Sequence, residues 1–202
     1  MPQHRQATHW WKVLLVTSTL ALPAWAADGP EVGKPLPSFT AQDLLGHEHS
    51  SQEFTGKRTL LVAITDKNSG DEMRAWFDAA DTHAPASAQR ESIISLHLPF
   101  FVSAATARNH AKPQVPQQYW DDTLLDRNGD MAETLDFSSG KDPYAIALDE
   151  HGRVLAVVHG KADSPEAGRI WSSLNNPKEP GNPTQPTRDT SSQAVPHVRS
   201  GK

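Results

Sequence analysis

The 202-residue chain contains no cysteine. It can form no disulfide, exchange no thiol and run no cysteine-based peroxidase, because each of these needs a sulfur nucleophile. A lipid anchor attached through cysteine is excluded with them. Long hydrophobic runs are also missing: the apolar segment 13–22 is about ten residues, where roughly twenty are needed to span a bilayer. Positive charge is scarce, with 19 Lys and Arg against 24 Asp and Glu and a net charge of -5. Nucleic-acid binding relies on clustered Lys and Arg, so no nucleic-acid partner is expected. Gly-rich phosphate loops and a Gly-x-Ser-x-Gly elbow are absent. Asp126-Arg127-Asn128-Gly129-Asp130 imitates the start of a calcium loop, but Met131 stands where the turn glycine belongs and Phe137 where the bidentate Glu should be. It reads as a turn.

What is present begins with an export signal. His4, Arg5, His9 and Lys12 form a basic start, 13–22 an apolar core, and Ala24-Trp25-Ala26 a small-x-small cleavage pattern. Cleavage after Ala26 makes the mature chain periplasmic or secreted, with no membrane span left. It also removes Arg5 and Lys12 and no acid, so the net charge moves from -5 to -7. Small exported domains usually lean on disulfides; this one must rely on its core, and residues 27–175 are long enough to build one. The tail 176–202 carries Pro177, Pro180, Pro183, Pro186 and Pro196 among polar residues, with Ala194, Val195 and Val198 as its apolar members. Such a stretch buries too little surface to offset its ordering entropy and is expected to be disordered.

Between the two ends the pattern alternates. Residues 35–45 read as an extended lead-in and 47–51 as a short strand after a turn at Gly46. The run 58–65 suits a buried central strand. Ser69-Gly70-Asp71-Glu72 matches a capping box, opening a helix over 71–83 with Met73, Trp76, Phe77 and Ala80 on one face. Residues 92–101 form the next expected strand, 106–111 a helix stopped by Pro113, 123–126 a strand and 131–137 a short helix. Residues 144–148 and 154–159 make a hairpin, and 165–174 a closing helix with Pro165 in its first turn. This is an α/β pattern, parallel at first and antiparallel at the end. Trp76, Trp120 and Trp171 fall at core positions.

Three segments carry a resemblance. Val32-Gly33-Lys34-Pro35-Leu36-Pro37-Ser38-Phe39, Gly56-Lys57-Arg58 before the apolar strand, and Pro143 running through Tyr144 to the turn Asp149-Glu150-His151-Gly152-Arg153 occur in order. Together they resemble the extracytoplasmic thiol-redoxins of the AhpC-TSA superfamily over 32–174. The resemblance implies a thioredoxin-like fold: a central mixed sheet flanked by helices, with N-terminal extension strands and a proline, usually cis, at Pro143. In that family two cysteines sit where the first central strand meets its helix. Here those positions fall on Asp66 and Ser69, so Cys-x-x-Cys is replaced by Asp66-Lys67-Asn68-Ser69. A serine hydroxyl is far too weak an acid to take over thiol exchange unaided. The segment 66–72 is also similar to the YtfJ-like periplasmic proteins, which share this fold without the redox pair.

The resemblance implies a groove between Thr65, Asp66, Lys67, Asn68 and Ser69 on one side and Pro143 and Tyr144 on the other. A binding or scaffold role there is the leading expectation, with an exported or envelope protein as partner and no cofactor. The alternative is an enzyme of non-thiol chemistry, using Asp66, Lys67 or His97, or a metal site. His47-x-His49 puts two imidazoles on one strand face, half of such a site, with His97, His110 or Glu48 as candidate third ligands.

Overall fold

The segment Thr59–Ile64 (β3) is an unbroken apolar run whose six residues are all buried. A strand covered on both faces needs no polar alternation, and its backbone groups must be paired along both edges. Both edges are paired: β4 (Gln89–Ser95) runs parallel on one side, from Thr59 opposite Gln89 to Ile64 opposite Ile94. On the other side β6 (Tyr144–Leu148) runs antiparallel.

The computed structural model describes residues 28–176. The expected export segment 1–26 lies outside these residues, as does the tail beyond Asn176. Among the described residues the sheet has seven strands in the order β2-β1-β5-β4-β3-β6-β7. The others are β1 (Thr40–Asp43), β2 (Glu48–Ser50), β5 (Thr123–Asp126) and β7 (Val154–His159). Helix α1 (Gly70–His83) connects β3 to β4, and α2 (Ala104–Ala111) connects β4 to β5. Parallel neighbours need such crossovers, whereas β6 and β7 meet through a tight turn. No helix among the described residues is long and apolar enough to cross a membrane.

Alternation along β3 divides the core in two. Leu60, Val62 and Ile64 face α1 and α4 (Gly168–Asn175), meeting Met73, Trp76, Ala80, Ile170 and Leu174. Leu61 and Ala63 face the other way, onto Phe39, Phe54, Met131 of the short α3 (Asp130–Thr134) and Leu135 just after it. Trp76 is fully buried, and its indole N–H donates to the Gly160 carbonyl at 3.0 Å. Trp120 and Trp171 pack against the same core from partly buried positions.

Several boundaries differ from expectation. Strand β4 starts at Gln89 and ends at Ser95, so 96–101 leave the sheet. Leu96 and Leu98 still donate to the carbonyls of Asp126 and Arg127, but Pro99 has no N–H to continue the ladder. Phe100 and Phe101 are left 91% and 75% exposed. The helix expected over 131–137 stops at Thr134, before Asp136 takes a left-handed φ of 55°. The closing helix begins with a 3-10 turn at Pro165–Ala167. Every described peptide bond is trans, including that before Pro143, in keeping with the intrinsic trans preference of X–Pro bonds.

Two turns are held by aspartates. Asp126 accepts from the backbone N–H groups of Asn128, Gly129 and Met131 and from the Ser95 hydroxyl. The calcium-like stretch is therefore a turn with its carboxylate already saturated. Asp149 accepts from the N–H groups of His151 and Arg153 at 2.8 and 2.9 Å, and Gly152 supplies the positive φ of 70° this turn needs.

One acid is buried in β4. Burial pushes the Glu91 carboxyl up from its usual 4.5 to about 7, against the opposing hydrogen bond from Gln89 and with help from the charge of Asp122. An acid raised in this way keeps its proton when folded and loses it when unfolded. Its stabilising contribution is full below about pH 4.5 and is lost as pH rises through about 7. Glu91→Gln keeps the shape and the acceptor for Gln89. The variant should be more stable than the parent by about 1–3 kcal/mol near pH 8, with the gap closing by about pH 4.5. Urea unfolding at both pH values checks this, and an equal gap at both would exclude the carboxyl as the cause.

Candidate functional site

Strand β3 delivers Thr65 and the loop 66–69 to the end of the sheet, where 138–143 lead into β6. The two segments are sewn together. The Thr65 hydroxyl lies 3.2 and 3.3 Å from the carbonyls of Ser138 and Gly140 and accepts from the Gly140 N–H at 3.1 Å. Ser69 is buried, and its hydroxyl donates to the Lys141 carbonyl at 2.7 Å. The expected capping box at this helix is thus not formed. Ser69 has φ -96° and ψ 13°, not the extended cap conformation, and its hydroxyl is engaged across the loop. Glu72 pairs instead with Lys161 at 3.3 Å. Asp66 accepts from the backbone and side-chain N–H groups of Asn68 at 2.8 and 2.9 Å. Lys67 and Asn68 are exposed.

Across from this loop, Pro143 and Tyr144 are buried. The Tyr144 ring is stacked between Phe137, at 4.3 Å, and His159, at 4.0 Å. Its hydroxyl meets Ser138 and donates to Asp28 at 3.0 Å. Burial pushes the Tyr144 hydroxyl above its usual range, while the Ser138 hydroxyl is the main influence holding the Asp28 carboxyl low. Thr65 and Ser69 thus meet the segment 138–141 that leads to the buried Pro143, whereas Tyr144 points inward. Strand alternation and its stacked neighbours turn the ring into the core. The Ser69 hydroxyl bonds a carbonyl rather than an imidazole or carboxylate, so no general base activates it.

The open concavity lies beside this loop. A groove of about 640 Å³ runs between α1 and α2, starting at Lys67 and Gly70. Its walls are apolar: Met73 and Phe77 from α1, Leu96, Leu98 and Val102 from the loop after β4, and Val115 beyond α2. Its rim is charged on the α1 side, where Arg90 pairs with Asp81. The polar floor is self-satisfied, the Ser92 hydroxyl donating to that of Thr123 at 2.9 Å. The same apolar run that reads as a strand over 92–101 contains the groove wall, so periodicity alone gave no warning of it. A smaller hollow of about 410 Å³ surrounds Arg58 at the opposite end of β3. There the guanidinium bonds Glu150 and the carbonyls ending α4, a structural role.

The two histidines converge on a residue the sequence did not single out. Asp43, the fully buried last residue of β1, accepts at one oxygen from the N–H groups of Gly46 and His47. Its other oxygen lies 3.0 Å from His47 Nδ1 and 3.2 Å from His49 Nε2. His49 Nδ1 lies 2.9 Å from Glu53. Burial pushes Asp43 up, yet these hydrogen bonds outweigh it and hold the carboxyl low. Burial likewise lowers His49, but Glu53 and Asp43 outweigh it and raise the imidazole. Ligand atoms of Asp43, His47 and Asp121 lie within 4.8 Å of one another. None of the third ligands proposed from sequence joins this group. His97 lies 4.0 Å from Glu133, His110 lines the apolar groove, and Glu48 stands in β2. Asp121 arrives through the pairing of β1 with β5, a long-range contact that spacing along the chain does not reveal.

No family profile and no curated protein sequence matches the chain. Solved structures do. A Chlorobium tepidum protein assigned as the thiol:disulfide interchange protein DsbE superposes with a TM-score of 0.54 at 15% identity, covering 72% of this chain and 99% of that one. A thiol:disulfide interchange protein from Bacteroides sp. gives 0.50 at 16% identity, over 74% and 94%. The structure of MTB dsbF in mixed oxidised and reduced forms gives 0.50 at 20%, over 71% and 99%. At such identities the likeness concerns the fold. The fold is thioredoxin-like, and with no cysteine anywhere in it the chain is a thioredoxin-like domain without the redox thiols.

Proposed function

We propose that this chain is an exported, redox-inactive binding module that holds an apolar segment of an exported or envelope protein at the end of the sheet where β3 and β4 finish. Export rests on the signal pattern of residues 1–26. Redox inactivity follows from chemistry, since thiol–disulfide exchange needs a sulfur nucleophile on the chain. The observation that carries the binding role is the apolar groove opening beside the loop 65–69. The hydroxyls of Thr65 and Ser69 in that loop are engaged with the segment 138–141, and Lys67 stands at the edge of the groove.

The occupant is argued from what adjoins the groove. Phe100 and Phe101, almost fully exposed and packed edge-to-face at 5.7 Å, extend the apolar surface outward. An enclosed small molecule has no use for aromatic surface outside its cavity, whereas a polypeptide partner covers both. Met73 and Phe77 supply adaptable and rigid apolar contact, and the charged rim gives the polar border usual in such interfaces. An enzyme would instead need titratable groups converging with a third, orienting residue. At this groove Arg90 and Asp81 neutralise each other on the rim.

The test uses the mature chain as bait in a periplasmic extract, with cross-linking to measure any captured protein's affinity. Phe100→Ser with Phe101→Ser should leave folding unchanged and weaken capture about tenfold or more, as for central apolar anchors. Leu98→Asp should do the same from inside the groove. Capture unaffected by either change would move the function to another face. Ser69→Ala is the counterpart. Loss of its hydrogen bond to Lys141 should lower stability by about 1 kcal/mol, measured by urea unfolding, and leave capture intact.

A further inference from the structure

We propose that Asp43, His47 and Asp121 form a binding site for a divalent transition-metal ion at the β1–β2 edge of the sheet, with His49 and Glu53 as its supporting shell. The inference does not rest on the partner reading above: none of Asp43, His47 and Asp121 lines the groove, although Asp122 and Thr123, just beyond Asp121, do.

Preorganisation of the central ligand is the first argument. One oxygen of Asp43 is fixed by two backbone N–H groups, at 2.6 and 2.8 Å, and the side chain is fully buried. The other oxygen is left facing His47 and His49. Outer-shell hydrogen bonds that orient a ligating carboxylate are a regular part of built metal sites. His49 contributes to the same oxygen and is itself steadied by Glu53.

Geometry is the second argument. Zinc holds nitrogen and oxygen ligands at about 2.0–2.2 Å, which spaces tetrahedral ligands by roughly 3.4 Å. His47 Nδ1 lies 3.0 Å from the Asp43 oxygen, so the ring has to withdraw by only a few tenths of an ångström. It is free to do so, because the side chain is 67% exposed. Asp121, which is exposed, brings a carboxylate oxygen within 4.8 Å of both as the third ligand.

Charge is the third. Asp43, Glu53, Asp121 and Asp122 surround two imidazoles, and among the described residues none of these acids pairs with a lysine or arginine. The guanidinium closest to the turn, Arg108, donates to Gln42 at 2.6 Å. A dication supplies the missing positive charge. Imidazole with carboxylate and no sulfur suits zinc, cobalt, nickel or copper, whereas calcium and magnesium prefer oxygen alone. Binding replaces any proton shared between His47 and Asp43 and releases it to solvent.

The test is calorimetric titration of the intact mature chain with zinc chloride, alongside cobalt substitution read by visible absorption. One ion per chain is expected, with an affinity of about 1 µM or tighter. A four-coordinate cobalt spectrum and a zinc-dependent rise in the thermal midpoint should accompany it. His47→Ala and Asp121→Asn should each weaken binding about tenfold or more. His110→Ala should bind like the parent. Asp121 is exposed, so its substitution leaves folding intact even if the His47 change disturbs the hairpin. Absence of binding at about a hundred times the expected affinity, or binding unchanged in both ligand variants, overturns the proposal.

Discussion

The whole molecule depends on β3 being paired along both edges and covered on both faces. No cross-link supplements it. Its apolar side chains alternate between two half-cores, Leu60, Val62 and Ile64 in one and Leu61 and Ala63 in the other, so the two faces of the sheet are coupled through one six-residue strand. Burying a large aliphatic side chain stabilises by about 1.5–3 kcal/mol, and in small exported domains disulfides often supply comparable help. Here the interior replaces them. The parallel pairing with β4 also places the loops after β3 and β4 at the same end, which puts the mouth of the groove, the exposed phenylalanines and the loop 65–69 side by side.

Buried carboxylates form the second layer of this organisation. Asp43, Asp126 and Asp149 each collect backbone N–H groups from a turn and fix it against the sheet. A charged acceptor makes stronger hydrogen bonds than a neutral one, and the N–H groups it satisfies would be costly left alone. The three turns therefore serve as polar staples in a protein that has no covalent ones. Asp43 differs because one oxygen does the stapling and the other faces two imidazoles. That division of labour makes a structural turn at the same time a candidate metal centre.

Much of this was legible in the sequence, and the gaps have physical causes. The strand at 59–64, the helix to His83, the hairpin around Gly152 and the turn at Gly129 carry local signals: continuous apolar runs, helical spacing and glycines at positive φ. Boundaries failed where one apolar run served two purposes. Residues 92–101 keep apolar side chains up to Phe101, yet Pro99 ends the ladder and the rest becomes groove wall and exposed surface. Ser69 failed for a different reason. Its capping motif is local, but its hydroxyl is claimed by Lys141, 72 residues away. Tyr144 was placed at the right point of the chain and facing the wrong way. Asp43 and Asp121 were missed entirely, because strand pairing between β1 and β5 brings them together and no spacing rule encodes it.

The state of Ser69 bears on how far this domain stands from thiol chemistry. A catalytic sulfur needs partial exposure and surroundings that favour the thiolate. At this position the side chain is buried and hydrogen-bonded to a carbonyl, an environment that disfavours negative charge. The covering segment 138–143 is tied down independently through Thr65 and through the Tyr144 hydroxyl. Three contacts, in addition to the absence of cysteine, therefore set this end of the sheet apart from thiol chemistry. Placing cysteine at Asp66 and Ser69 alone would leave the second sulfur covered. The accessible chemistry at this end of the sheet is apolar surface, and the proposed binding role rests on that surface.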